Sequence, residues 1–136
     1  MTKWYKLWQN DPGMRSWDPF GSLKWRFVGW AWVSDAMAHR FNYNCGLNNP
    51  APYRLFETSP AKSLWDKAWL PGSPTYEGPR GWFHLFGPVD KAFLGYFYMG
   101  AKTAQLIDLD THPGFQGSRY GGCYHTEVFT RSGHRV

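Results

Sequence analysis

Few side chains in this sequence could do chemistry, and their spacing decides what that chemistry would be. Asp108, Asp110 and His112 fall two residues apart in Leu106-Ile107-Asp108-Leu109-Asp110-Thr111-His112-Pro113. In an extended segment that spacing puts all three on one side. Cys123-Tyr124-His125 repeats it with a thiol and an imidazole. Carboxylate, imidazole and thiolate all bind zinc, so these residues are the candidate metal donors. Cys123 with His125 or His112 is the candidate nucleophile and base. The plainer reading, a satisfied loop acid and a turn histidine, outweighs both. Asp35 and His39 stand at i, i+4 on one face of an expected helix, where a hydrogen-bonded pair is expected rather than a site. No Gly-x-Ser-x-Gly turn is present to expose a serine. Gly78-Pro79-Arg80-Gly81 and Gly114-Phe115-Gln116-Gly117 lack the Lys-Ser/Thr of a phosphate loop and read as turns. The expectation is a protein that is not an enzyme, with no catalytic, metal or cofactor residues of its own.

Rings are what the chain has in abundance: 9 Trp, 8 Tyr and 10 Phe among 136 residues, against 16 Leu, Ile and Val combined. With 15 Gly and 10 Pro, it is rich in breakers and poor in the branched aliphatics that fill an independent core. Trp, Tyr and Arg are the residue types that anchor interfaces, so the composition points to an interaction protein wrapped over its partners. The 15 basic and 10 acidic residues leave a net charge of +5, scattered along the chain. Nucleic-acid binders cluster their positive charge, so no nucleic acid is favoured as partner and no small-molecule substrate is indicated. Lys3-Trp4-Tyr5-Lys6 and Lys24-Trp25-Arg26-Phe27 nevertheless interleave rings and bases in a way that suits stacking on single-stranded RNA. A basic, Trp-rich surface also suits anionic lipid. Cys45 and Cys123 can form one disulfide or none, and reduced, buried thiols are the simpler expectation.

The elements that would hold these residues read as one unit over 1–136: mostly α, with long ordered Gly/Pro-rich loops and little independent core. Trp4, Leu7 and Trp8 share one side of a helical turn over 2–9. Ser22 caps a helix over about 22–41, whose rings lie on nearly every side, as in a deeply buried or membrane helix. Ser59 as N-cap, Pro60 at the first position and Pro71-Gly72 at the end define a second helix over about 60–70. Residues 88–109 form a helix or, through the rings of 93–99, a strand. Residues 110–136 are irregular, with a short strand over 124–130. No internal repeat is read. A membrane span needs about 20 mostly apolar residues; 24–41 is interrupted by Ser34 and Asp35, and 82–101 carries His84, Asp90 and Lys91. One transmembrane or interfacial helix, packed against other helices, is the expectation. The first eight residues contain no apolar run of signal-peptide length.

Asn10-Asp11-Pro12-Gly13-Met14-Arg15-Ser16-Trp17, followed by Leu23-Lys24-Trp25-Arg26-Phe27-Val28-Gly29-Trp30-Ala31-Trp32-Val33, resembles small accessory subunits of the membrane arm of mitochondrial NADH:ubiquinone oxidoreductase (complex I). Some of these carry an Asp-Pro…Arg…Trp segment and then a Lys-Trp-x-Phe opening to one membrane helix. The resemblance spans residues 10–33. It implies a non-catalytic structural subunit of a mitochondrial inner-membrane respiratory complex, integral or tightly peripheral, bound to other subunits of a large membrane complex and to lipid, with no cofactor. Trp25, Phe27, Trp30 and Trp32 would then face membrane or partner, and Trp65 and Trp69 would form a second docking stripe. The same make-up suits an accessory subunit of ATP synthase or a cytochrome complex. An RNA-associated protein of an organellar ribosome and a small metal-dependent enzyme are the readings from other classes.

Overall fold

The computed structural model describes residues 1–10, 25–47, 51–59, 63–64, 78–108 and 123–136. Its elements are strands β1 (Thr2–Asn10), β2 (Trp25–Ser34), β3 (Tyr53–Phe56), β4 (Ser63–Leu64), β5 (Arg80–Phe86), β6 (Phe93–Gly100) and β7 (Glu127–Thr130), with helices α1 (Asp35–Gly46) and α2 (Ala101–Ile107). The sheet runs β3-β1-β2-β6-β5-β7, antiparallel throughout, and β4 pairs β2 in parallel off this path.

The fold is therefore mostly β, which corrects the mostly-α expectation. Of the helix expected over 22–41, Trp25–Ser34 is strand and helix begins only at Asp35. Along β2, Ala31 and Val33 are buried on one face while Trp30 and Trp32 point to the other. A strand that is apolar on both faces presents the same string of letters as a helix that is apolar all round. Aromatic and β-branched residues favour the strand. The change to helix comes at Ser34, whose side chain accepts from the Met37 N–H at 3.3 Å. Residues 2–9 are likewise strand, not a helical turn, with Tyr5 and Leu7 buried opposite Trp4 and Lys6. Within the span expected over 88–109, Phe93–Gly100 is the strand β6 and Ala101–Ile107 the helix α2. Of the helix expected at 60–70, only Ser63 and Leu64 are described, and they are strand. No helix of the described residues is long and apolar enough to cross a membrane.

The chain also repeats itself. β1-β2-α1-β3 assembles in the order β3-β1-β2, and β5-β6-α2-β7 in the order β7-β5-β6. The two ββαβ units meet where β2 pairs β6, with Gly29 opposite Met99, Trp30 opposite Tyr98, Ala31 opposite Phe97 and Trp32 opposite Tyr96. Exchanging the units maps this register onto itself, so Gly29-Trp30-Ala31-Trp32-Val33-Ser34 corresponds to Gly95-Tyr96-Phe97-Tyr98-Met99-Gly100. The same exchange lays Trp4-Tyr5-Lys6-Leu7-Trp8 on Trp82-Phe83-His84-Leu85-Phe86: Trp4 faces Trp32 and Trp82 faces Tyr98. Even the β-bulges coincide, at Leu7/Trp8 and Leu85/Phe86. Asn42 of α1 holds β3 by bonding Leu55, accepting its N–H at 2.7 Å and donating to its carbonyl at 3.0 Å. Asp108, at the corresponding place after α2, accepts the N–H of Val128, the counterpart of Leu55, at 3.0 Å. The expectation of no internal repeat is thus corrected.

Both helices cover one face of the sheet. Beneath them Leu7, Val28, Val33, Phe41, Leu85 and Phe97 belong to a single buried cluster, so the domain has the independent core the composition did not promise. Gly29 and Gly95 occupy equivalent places at its centre, and both are required there. A Cβ on Gly29 would lie 2.3 Å from the Tyr98 carbonyl oxygen, and Gly95 has φ +137° with Val33 Cβ 2.9 Å from the site of its missing Cβ. Cys45, at the end of α1, and Cys123, on the approach to β7, form a buried disulfide joining the two units. This corrects the expectation of reduced thiols: the fold brings together two residues 78 positions apart.

Candidate functional site

Alternation along each strand fixes what the opposite face must carry. If Tyr5, Leu7, Ala31, Val33, Phe83, Leu85 and Phe97 point into the core, then their neighbours Trp4, Lys6, Trp30, Trp32, Trp82, His84, Tyr96 and Tyr98 point away from it. The result is a sheet face made of rings. Trp4 is 51% exposed, Tyr96 42% and Trp32 37%, whereas Trp30, Trp82, His84 and Tyr98 are half-buried by one another.

The rings are organised about the axis relating the two units. Trp4 of β1 and Trp82 of β5 reach over the two central strands, and their centroids lie 6.0 Å apart. Trp4 leans on Trp32 at 4.9 Å and Trp82 on Tyr98 at 5.3 Å, contacts that the exchange of units interconverts. Either side of the Trp4–Trp82 pair is a recess. One, of about 380 Å³, is lined by Trp4, Trp32, Trp82, His84, Tyr96 and Arg131. The other, of about 400 Å³, is lined by Trp4, Trp30, Trp82 and Tyr98. Exchange of the units turns one set of rings into the other. The recesses are quasi-equivalent.

Charge is distributed unevenly about this face. His84 stands edge-on to Tyr96 at 4.9 Å, and the Lys6 ammonium lies 6.0 Å from the Trp30 ring centre. Among the described residues, no carboxylate lines either recess. The described carboxylates are engaged elsewhere: Asp35 and Glu57 with Lys3, Asp90 with Arg40, and Asp108 and Glu127 with Arg135. The Arg40 guanidinium, followed by the Ala92 N–H, draws the Asp90 pKa down to about 2.

A second cluster lies at the helical side of β1, where Lys3, Tyr5, Asp35 and Glu57 share a groove with His39 and Arg54. The Tyr5 hydroxyl donates to Asp35, and Lys3 bridges Asp35 and Glu57. Burial, then the hydrogen bond to Asp35, pushes the Tyr5 phenol up to about 12. Such a phenol stays protonated at neutral pH, the opposite of what a nucleophile or base needs. The cluster ties β1, β3 and α1 together.

The residues singled out from sequence divide accordingly. Trp30 and Trp32 are on the ring face. Phe27 is on the same side but buried, edge-on to Trp8 and Trp30, each at 5.3 Å. Trp25 packs on Phe56 at 5.6 Å, while Trp65 and Trp69 lie outside the described residues. Asp108 is fully buried and bound by Val128 and Arg135, and Cys123 is consumed in the disulfide. Neither has a free donor for zinc. Asp110 and His112 lie outside the described residues, and Asp35 is held by Tyr5 and Lys3. Sequence reasoning noted Trp4 only as one ring of an RNA-stacking pattern and missed Trp82, His84, Tyr96, Tyr98 and Arg131. The signal was there: Trp-Tyr-Lys-Leu-Trp and Trp-Phe-His-Leu-Phe are one pattern written twice. No family model matches the chain, and no curated protein or solved structure matches it.

Proposed function

We propose that the protein is a non-catalytic binding module that takes a chain of flat-faced rings on the aromatic face of its sheet. The observation that carries this reading is the Trp4–Trp82 pair, reaching over β2 and β6 to wall off two open recesses. A contiguous exposed apolar surface marks an interaction site, and this one has the geometry of a stacking platform. Rings set edge-on to one another, as Trp4 is to Trp30 with planes at 83°, leave their faces available to a third ring. Indole and phenol make up most of the recess walls, and no described carboxylate stands beside His84 at the first of them, which favours binding over catalysis.

The reading keeps one part of the sequence expectation, that Trp30 and Trp32 meet a partner. It does not keep the respiratory-subunit assignment, whose support was a membrane helix opening near Lys24-Trp25-Arg26-Phe27, where β2 begins. The test is titration of the intrinsic tryptophan emission with two ligand classes, single-stranded homopolymeric DNA and β-linked oligoglucosides. Quenching or a blue shift with at least one class is expected, and Trp4→Ala should weaken that binding about tenfold or more, since each stacked ring contributes roughly 1–3 kcal/mol. If neither class perturbs the emission at millimolar concentration, the platform is not a binding surface for rings.

A further inference from the structure

Resting on that reading, we infer that the two recesses are paired subsites for two nucleotides of one single-stranded nucleic acid, with a phosphate held on the Arg131 side. Three observations carry it. The first is the duplication: Trp4 and Trp82 are shared, while Trp32 and Tyr96 line one recess and Tyr98 and Trp30 the other. A ligand built of repeating rings can fill both at once, and the second ring then binds at a high effective concentration.

The second is the chemistry of the walls. A sugar ring stacks as well as a base does, but its hydroxyls are donors that need acceptors once desolvated. Neither recess has an Asp, Glu, Asn or Gln among its described lining residues. Arg131 and His84 stand at one of them, and Lys6 lies against Trp30 beside the other. Walls of rings with cationic edges fit a flat base joined to an anion. A lipid surface would be met by rings that project outward, whereas Trp4 and Trp82 turn toward each other.

The third is direction. The exchange that relates the recesses reverses the strands, so a polar ligand strand meets them in opposite senses. Stacking tolerates the reversal, because each base has two faces. Phosphate contacts do not, and the cations differ in the way this requires: Arg131 lines the first recess but not the second, beside which Lys6 stands against Trp30.

The experiment is a length series, thymidine monophosphate, dT2, dT4 and dT10, read by tryptophan emission with the full chain in its oxidised form. Cellohexaose and phosphatidylserine–phosphatidylcholine vesicles are run in parallel. Binding should tighten tenfold or more from monophosphate to dT2. Trp30→Leu and Trp32→Leu should each remove that step, while Trp30→Tyr and Trp32→Tyr, which keep a ring and guard against misfolding, should retain most of it. Arg131→Gln should flatten the dependence of log K on log salt by about 0.7, the contribution of one phosphate on a single strand. Absence of the length step, or a step that survives both Leu variants, overturns the paired subsites. Cellohexaose binding without DNA binding overturns the nucleic-acid assignment and leaves the binding module standing. Vesicle binding alone overturns the inference in favour of a membrane surface. Failure of every ligand overturns both readings.

Discussion

The two ββαβ units solve the same structural problems with different residues. Both must seat a third strand against the first, beside a helix that follows the second. The first unit does it with Asn42, whose amide both donates to and accepts from Leu55. The second puts a carboxylate there, and Asp108 accepts from Val128 while the Arg135 guanidinium grips both of its oxygens, at 2.6 and 2.8 Å. A neutral amide is self-sufficient, whereas a buried carboxylate needs a counter-charge, here brought by Arg135. The helices differ in the same spirit. Ser34 caps α1 with its hydroxyl, and Gly100 opens α2 with no side-chain cap. What both units share is a ring-bearing face and the glycine beneath it. The units differ where either of two solutions will do and are alike where both contribute to one surface.

The comparison breaks most severely at the glycines. Gly29→Ala drives a methyl into the Tyr98 carbonyl, which is backbone and cannot rotate away; Gly95→Ala meets Val33 and an unfavourable φ as well. Each should cost about 3 kcal/mol or more, by forced backbone shifts at a packed centre, measured as a shift in urea midpoint. If the two units are equivalent, the two losses should be comparable. A benign Gly95→Ala beside a severe Gly29→Ala would show that the central pairing is not symmetric in energy.

A sharper and smaller effect lies at the strand seat. Asp108→Asn gives the second unit the first unit's solution: its amide oxygen still accepts from Val128 and the Arg135 Nε, while the charge and the acceptor for the Arg135 Nη2 are lost. A loss of about 1–2 kcal/mol is expected. Asp108→Ala leaves the Val128 N–H and Arg135 without their partner and should cost about 3 kcal/mol or more. Equal losses from the two would mean that the ion pair alone holds β7, and that the parallel with Asn42 is only geometric.

How much of this was legible in the sequence follows from what kind of information each feature is. The strand expected over 124–130 corresponds in its last four residues to β7, where enough polar–apolar alternation survives to be read. β2 reads as a helix because its rings lie on one face and Val28, Ala31 and Val33 fill in between, erasing the period-two signal. The breaker-rich composition suggested a chain without a core, but only described strands and helices, not counts of Leu and Val, reveal that Phe41, Phe97 and Leu85 interlock under one sheet face. The ring face could have been anticipated from the twofold recurrence of Trp-aromatic-basic-Leu-aromatic at Trp4 and Trp82. The segregation of charge could not, because Asp108 and Arg135 become partners only through the fold.

Tyr5 offers the gentlest test, because its counterpart in the second unit is Phe83. The Tyr5 phenol has a pKa raised from 10.0 to about 12, by burial first and then by its hydrogen bond to Asp35. A group whose pKa is raised on folding favours the fold fully below its unfolded value, and that favour is lost as pH climbs through the folded one. The wild-type protein should therefore shed this contribution between about pH 10 and pH 12. Asp35 works in the other direction: its pKa lies below the ordinary 3.8, through the Tyr5 hydroxyl first and Lys3 second, so its contribution disappears as acid protonates it. Tyr5→Phe makes the two units alike at this position and removes the phenol outright. Its melting temperature should be flatter than wild type above pH 10 and less steep below pH 4, with little change at neutrality compared with the glycine or Asp108 variants. An unchanged alkaline limb in Tyr5→Phe would place that titration elsewhere in the chain. The Tyr5–Asp35 bond would then add nothing that Phe83 lacks in the second unit.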